Sequence, residues 1–266
     1  MNDTDLLITA IKAAVEGGRA IMEIYDLDFD VEYKEDKSPL TLADRNAHEV
    51  ISRILEPTGL PMLSEEGKHI PYETRKNWTE FWLVDPLDGT KEFVKRNGEF
   101  TVNIALIRGS KVVMGIIYVP VSGQLYFASY PSGARKLTIR DLKHFSISDE
   151  FKIAESIPSQ SLPEKLTVVG SRSHISPETL QFIENLKSEG REPDFVSIGS
   201  SLKLCLVAEG RAHLYPRFGP TMEWDTAAGH AIVEISGGKI VRADNGQPVI
   251  YNKSDLLNPW FIASRE

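Results

Sequence analysis

The sequence FWLVDPLDGT, residues 81–90, says most about how this chain folds and what it does. Four apolar residues lead directly into Asp85, a pattern that predicts a buried strand carrying an acidic residue to the edge of a sheet. Pro86 fixes φ and removes a backbone donor, and Gly89 allows the chain to turn tightly. We therefore expect the carboxylates of Asp85 and Asp88 to converge on one point.

Two carboxylates at the end of one buried strand favour a site for a hard cation. Mg²⁺ takes oxygen ligands and is usually held by one or two carboxylates together with water and substrate phosphate. The carbonyl of Leu87, between the two acids in the sequence, can supply another oxygen. The alternative is that Asp88 and Gly89 form only a turn, but a turn alone does not require two acids at the end of a buried strand.

Upstream of this stretch the apolar spacing predicts two helices, and downstream it predicts a mainly antiparallel sheet. The first helix covers residues 6–25, and the second begins at Thr41, which forms a capping-box pattern with Asp44. The strands are predicted at 102–107, 112–119 and 124–128, and the first two are joined as a hairpin.

The second half of the chain alternates between strand and helix patterns, as is typical of an α/β lobe. The predicted strands are 166–169, 195–198 and 212–215, and the predicted helices are 177–186, 201–209 and 226–235. Between about 130 and 165 the sequence is polar and interrupted by proline and glycine, so we place a boundary there. The predicted fold class is α/β, with an α+β first lobe at 1–145 and an α/β second lobe at 146–266.

The composition excludes several classes of function. The chain has 266 residues and a formal net charge of −8, which would repel nucleic acids and anionic lipids, so no nucleic acid polymer is expected as a partner. Cys205 is the only cysteine, so no disulfide can form within the chain. The acidic start Met1–Asp5 and the lack of a long apolar stretch favour a cytoplasmic protein, with association with the inner face of a membrane left open.

Two motifs distant in the sequence carry a family resemblance. DPLDGT at 85–90 and WDTAAG at 224–229 together resemble the inositol monophosphatase superfamily of lithium-sensitive, magnesium-dependent phosphatases. LSEEG at 63–67 and Asp44 extend the resemblance over nearly the whole chain. The resemblance implies a layered αβαβα sandwich.

The resemblance also implies two Mg²⁺ ions and leaves a third open. Glu65, Asp85 and the carbonyl of Leu87 would bind one ion, while Asp85, Asp88 and Asp225 would bind the other. Asp85 would then bridge the two ions. In such a pair one ion activates a water and the other stabilises the leaving oxygen.

Catalytic roles implied by the resemblance fall on Asp44, Thr90 and Glu65. Asp44 and Thr90 would orient and deprotonate the attacking water. Glu66 would lie next to the metal ligands without binding an ion itself. Each acid also has a structural explanation when it is taken alone: a helix cap for Asp44 or Asp225, and a solvated loop for Glu65 and Glu66.

TKEF at 90–93 resembles the bacterial 3'(2'),5'-bisphosphate nucleotidase branch of the superfamily. Residues 199–203 open a predicted helix and offer an anion backbone N–H groups, hydroxyls and an ammonium. The implied substrate contacts are Gly89 and Thr90 beside the metals, Ser200, Lys203 and Arg217 on a 5'-phosphate, and Ser171 and His174 on the nucleoside. The structural alternatives are an N-cap for Ser200, a stem that covers apolar surface for Lys203 and a solvated loop for His174.

The function implied by this branch is magnesium-dependent hydrolysis of adenosine 3',5'-bisphosphate to AMP and phosphate, with a small phosphate ester as the partner and the oligomeric state open. An inositol monophosphatase or fructose-1,6-bisphosphatase on the same scaffold is the first alternative. An aspartyl-phosphate phosphatase of the haloacid dehalogenase type would need Asp-x-Asp, whereas two residues separate Asp85 from Asp88. A nucleotide-binding regulatory module without turnover is the alternative that is not an enzyme.

Overall fold

A computed structural model describes residues 1–27, 39–141, 146–147, 153–171 and 175–266 of the chain. The helices formed by these residues are α1 (Asp3–Tyr25), α2 (Pro39–Leu55), α3 (Tyr72–Arg75), α4 (Thr90–Val94), α5 (Pro177–Ser188), α6 (Leu202–Glu209) and α7 (Glu223–Ile235). The strands are β1 (Met62–Ser64), β2 (Glu80–Asp88), β3 (Thr101–Arg108), β4 (Lys111–Val119), β5 (Gln124–Ser129), β6 (Gly133–Thr138), β7 (Glu155–Ser156), β8 (Thr167–Gly170), β9 (Asp194–Ser197), β10 (Leu214–Arg217), β11 (Lys239–Arg242) and β12 (Phe261–Ser264).

The strands form two sheets. The first has the order β1-β2-β3-β4-β5-β6-β7 and is antiparallel apart from the parallel pair β1 and β2. The second has the order β11-β12-β10-β8-β9, in which β8 is parallel to both of its neighbours and β12 is antiparallel to both of its own. The predicted hairpin of β3 and β4 and the mainly antiparallel first sheet are confirmed.

Alternation along β2 shows how the layers are built. Trp82 and Val84 pack with α1 and α2 on one face of the first sheet, while Phe81 and Leu83 pack on the other face with α6, α7 and the second sheet. Because successive side chains of a strand point to opposite faces, one strand contributes to both cores. Since α5 contacts β10 of the second sheet, the order of layers is α, β, α, β, α, which confirms the predicted fold class.

Several element boundaries differ from the sequence prediction. Helix α2 begins at Pro39 and not at Thr41, because proline is pre-organised for the first turn of a helix. Asp44 therefore lies inside the helix, and the predicted capping box is wrong. Strand β7 at 155–156 pairs with β6 of the first sheet, in a polar stretch where no strand was predicted. The division into lobes at 145 stays a prediction.

Among the described residues, no helix combines the length and the apolar character needed to cross a bilayer. Cys205 lies on α6 with its side chain buried in the core between the sheets.

Candidate active site

A bulge in β2 brings the two acids of the 85–90 stretch to the same side. Asp85 pairs with Asn103 on β3 and Asp88 pairs with Thr101, so β2 has one residue more than β3 across this interval. Residues three apart on a regular strand point to opposite faces, and the extra residue of a bulge reverses that relation. Within the bulge the amide of Leu87 donates to Oδ1 of Asp85 at 3.0 Å.

Three carboxylates from different elements meet beside this bulge. One carboxylate oxygen each from Glu65, Asp85 and Asp225 lies within 4.8 Å of the other two. Glu65 directly follows β1, and its amide donates to the carbonyl of Val84 at 3.2 Å, so the parallel pairing of β1 with β2 places it next to Asp85. Asp225 lies in the first turn of α7, where its Oδ2 accepts from the amide of Met222 at 2.8 Å. The capping role proposed for Asp225 and its place in the acidic group are therefore compatible.

Asp44 and Asp88 complete the acidic surroundings. Asp44 is buried on α2 within the electrostatic reach of Glu65, Glu66 and Asp85, and its Oδ1 has no hydrogen-bond partner among the described residues. Asp88 is half-buried, and its Oδ2 accepts from the hydroxyl of Ser201 at 3.0 Å.

Burial and mutual repulsion raise the pKa of these acids. Burial first, and then Glu66 and Glu65, raise the pKa of Asp44 to about 8. Burial and the neighbouring Asp88 raise the pKa of Asp225 to about 7, and the same two causes raise those of Glu65 and Asp85. Carboxylates that destabilise one another in this way, together with the unpaired oxygen of Asp44, suit an all-oxygen site for a hard divalent cation.

Basic groups line the same cleft as two of these acids. The cleft has a volume of about 150 Å³ and is lined by Asp88 and Asp225 together with Ser200, Lys203 and Arg217. Lys203 donates through Nζ to the carbonyl of Ser200 at 2.5 Å, and burial lowers its pKa to about 8. Arg217 donates to the carbonyl of Pro220 at 3.0 Å, but its buried Nε has no partner in the described ranges.

Tight contacts hold the loop before α6 against the DPLDGT motif. A Cβ atom added to Gly89, whose φ is +97°, would lie 3.1 Å from Cβ of Ser200 and 3.2 Å from Cα of Phe100. Only glycine fits both the backbone conformation and the space. Ser200 itself has a φ of 45°, and its hydroxyl lies 3.1 Å from that of Thr101. Ser200 is not the N-cap of α6, because that position is held by Ser201.

The structure brings most of the predicted site residues together. Those that form the acidic group or line the cleft are Glu65, Asp85, Asp88, Gly89, Ser171, Ser200, Lys203, Arg217 and Asp225. Thr90 starts α4 and is exposed, Glu66 is exposed beside Asp44, and the ligand role of the Leu87 carbonyl stays a prediction. His174 lies outside the described residues.

Sequence reasoning missed the polar residues that support the acids. Thr101 and Asn103 on β3 and Ser201 before α6 are buried and hydrogen-bonded to Asp88 or to one another. The signal was present: two polar residues at alternate positions in an otherwise apolar strand point to the same face. Lys91 and Tyr215 also line the cleft and were not assigned a role.

Known proteins are similar to this chain over nearly its whole length. The model of the inositol monophosphatase family matches residues 2–264. The 3'(2'),5'-bisphosphate nucleotidase CysQ of Salmonella typhimurium is 44% identical over 262 residues, 96% of this chain and 98% of that protein. The CysQ of Escherichia coli is 43% identical over 265 residues, 97% of this chain and 99% of that protein.

Solved structures of the same family are also similar to this chain. The crystal structure of CysQ from Bacteroides thetaiotaomicron, a bacterial member of the inositol monophosphatase family, matches with a TM-score of 0.92 and 48% identity over 98% of each chain. An inositol monophosphatase from Zymomonas mobilis, at 22% identity and a TM-score of 0.75, shares the fold. The chain therefore belongs to the inositol monophosphatase family.

Proposed function

We propose that this protein is a magnesium-dependent 3'(2'),5'-bisphosphate nucleotidase that hydrolyses adenosine 3',5'-bisphosphate to AMP and phosphate. The observation that carries the proposal is that acids and bases line one cleft, with Asp88 and Asp225 beside Ser200, Lys203 and Arg217. A substrate with two phosphates needs a cation-binding group at one of them and a basic group at the other. The CysQ relatives, matched over nearly their full lengths, support this assignment.

The acidic group is where the reacting phosphate binds in this proposal. Glu65, Asp85 and the carbonyl of Leu87 would hold one Mg²⁺, and Asp85, Asp88 and Asp225 would hold a second. When bound, the ions lower the pKa of a water and neutralise charge on the leaving oxygen. Since the carboxylates come from β2, from α7 and from the residue that directly follows β1, the fold fixes their relative positions before substrate arrives.

Asp44 and Thr90 act on the attacking water. Oδ1 of Asp44 is buried and accepts no hydrogen bond from the part of the chain that the structure describes, so it could take the proton that the water loses. Thr90, which begins α4 directly after Gly89, would orient that water through its hydroxyl.

The basic residues hold the phosphate that does not react. Lys203 is buried and uses two backbone carbonyls as acceptors, those of Ser200 and Ile198 at 2.5 and 3.4 Å. Its ammonium has three donors, so these two bonds within the described ranges leave one for a substrate oxygen. Arg217 adds a guanidinium whose planar fork suits a phosphate, and Ser200 lines the same cleft. The adjoining cavity of about 630 Å³, lined by Ser171, Pro216 and Phe218 among others, offers space for a nucleoside.

The decisive experiment measures phosphate release with Mg²⁺ from adenosine 3',5'-bisphosphate, inositol 1-phosphate and fructose 1,6-bisphosphate. We expect the highest kcat/KM for the nucleotide, and chelation with EDTA should abolish release. A preference for the inositol or fructose ester would instead assign one of the alternative activities. Nucleotide binding without release of phosphate would identify a regulatory module.

A second comparison uses adenosine 3'-monophosphate, which lacks the 5'-phosphate. We expect Arg217→Met to raise KM for the bisphosphate about tenfold, because it removes a bidentate grip on the second phosphate, and to leave the monophosphate unaffected. Equal effects on both substrates would remove Arg217 from the second phosphate site. Arg242→Met, at a half-buried position on β11 where the side chain pairs with Asp244, is the matched control.

A further inference from the structure

Three buried polar side chains lie directly behind the acidic group. Thr101 and Asn103 of β3 are fully buried, and Ser201 is 4% exposed. Buried polar groups of this kind are kept where their hydrogen bonds have a function or fix a structure. None of the three belongs to the ligand or substrate set proposed above.

Their hydrogen bonds converge on Asp88. The hydroxyl of Thr101 donates to Oδ1 of Asn103 at 3.0 Å, and Nδ2 of Asn103 donates to the hydroxyl of Ser201 at 3.0 Å. Ser201 in turn donates to Oδ2 of Asp88 at 3.0 Å. The hydroxyl of Thr101 also lies 3.5 Å from Oδ2 of Asp88 and 3.1 Å from the hydroxyl of Ser200.

Ser201 stands at the junction of two elements that carry acids. Its hydroxyl lies 3.0 Å from Oδ2 of Asp88, on β2, and 2.9 Å from the backbone carbonyl of Asp225, on α7. A hydroxyl has one proton, and Asn103 already donates into its oxygen. The proton must therefore point to the side where both acceptors lie, and the carboxylate is the stronger of the two.

We propose that Ser201, oriented by Asn103, is a positioning residue that holds Asp88 at a fixed distance from Asp225 and thereby sets the cation affinity of the site. The proposal rests on the proposed function in that these two acids hold a cation. The two supporting residues come from different layers of the fold. Asn103 lies on β3 of the first sheet, and Ser201 is the N-cap of α6. Groups that hydrogen-bond to ligand carboxylates fix their orientation, and their removal weakens metal binding.

The test is calorimetric titration of MgCl₂ and MnCl₂ into the metal-free, full-length protein. We expect Ser201→Ala to weaken cation binding about ten- to a hundredfold, the usual effect of losing such a support. Asn103→Ala should act in the same direction but less strongly, because the hydroxyl of Ser201 is kept and only its orientation is released. The double variant should bind cations no more weakly than Ser201→Ala does, since Asn103 acts on Oδ2 of Asp88 through the hydroxyl of Ser201.

Ser129→Ala is the matched control. Ser129 is as buried as Ser201, but its hydroxyl has no hydrogen-bond partner among the described residues, so the same atom is deleted without loss of a bond. Its cation affinity should be unchanged. Saturating Mg²⁺ should restore turnover of Ser201→Ala, which a general loss of structure would not allow.

The outcomes separate two failures. If the unmodified protein binds neither cation, the proposed function is wrong. If it binds them and both Ser201→Ala and Asn103→Ala bind equally well, the positioning role is overturned. Should Ser201→Ala fail to fold, as judged by circular dichroism, Asn103→Ala alone decides, since it either weakens cation binding or refutes the proposal.

Discussion

Two buried carboxylates of this molecule have the same exposure and opposite surroundings. Glu209 and Asp85 are both 1% exposed. Glu209, at the end of α6, accepts from the hydroxyl of Tyr126 at 2.6 Å and from Nζ of Lys136 at 2.5 Å. Asp85 lies instead among acids, of which Asp88 contributes most to raising its pKa after burial itself.

The difference separates a carboxylate that stabilises the fold from one that serves a ligand. A buried charge is tolerated when it is paired and hydrogen-bonded, as Glu209 is by residues of β5 and β6 in the facing sheet. A buried carboxylate beside other carboxylates lowers stability unless a cation is added. The two sites should therefore respond in opposite ways when their charges are removed.

The largest effect is expected for Asp225→Asn. Turnover should fall about a thousandfold, because a charged ligand of the acidic group is lost. The amide oxygen can still accept from Met222, so the cap of α7 is kept. The melting temperature of the metal-free protein should rise by a few degrees, since one repelling charge has gone. An unchanged kcat/KM for the bisphosphate would remove Asp225 from the ligand set.

Glu209→Gln should lower stability and leave the site unchanged, which is the opposite of the effect expected for Asp225→Asn. It leaves Lys136 without its buried counter-charge, so the free energy of unfolding should fall by about 3 kcal/mol while cation affinity is unchanged. Urea unfolding followed by fluorescence measures the loss. The control is Glu184→Gln on α5, whose pair with Lys187 is solvent-exposed and should contribute less than about 0.5 kcal/mol. Equal losses from both variants would contradict the comparison.

Lys203→Met tests the buried cation on the basic side of the cleft. We expect KM for the bisphosphate to rise about tenfold, since a charge-assisted hydrogen bond to phosphate contributes about 1.5 kcal/mol or more. Methionine keeps the length of the stem, so the packing of α6 should be preserved. The exposed Lys239→Met on β11 is the control for charge alone. A rise in KM of the same size in both variants would exclude a specific contact.

The smallest effect concerns the pH dependence of stability without metal. The pKa of Asp225 is raised to about 7 and that of Asp44 to about 8, so the folded chain binds more protons than the unfolded chain above about pH 4. The contribution of these two protonated carboxyls to the stability of the fold is full below about pH 4. It is lost as the pH rises through their pKa values of about 7 and about 8. The melting temperature should fall by a few degrees over this range.

The melting temperature should also be measured over the same pH range with saturating Mg²⁺, as a control for the metal-free protein. A bound cation favours the charged carboxylates, so the decline in melting temperature should flatten when it is present. Asp225→Asn should also show a shallower decline without metal. A melting temperature that rises with pH in the metal-free protein would contradict the assigned repulsion.

The sequence by itself determined the local features. The apolar run before Asp85, the hairpin of β3 and β4, and helix α7 could be read from spacing alone, because the periods of strands and helices are local properties of the chain. The family resemblance also predicted that Glu65, Asp85 and Asp225 lie together, as they do in the structure. The short strand β7 could not be predicted, because a polar segment gives no periodic signal.

Only the tertiary structure decided which side chains meet and in what state. Ser201 bonds to Asp88 across 113 residues of chain, and Asn103 reaches Ser201 across 98. The bulge that turns both acids of β2 to one side depends on its pairing with β3. The burial that raises the pKa of Asp44 depends on how α2 packs. Distance, dielectric surroundings and hydrogen-bond direction are properties of the packed chain, and no local pattern of residues contains them.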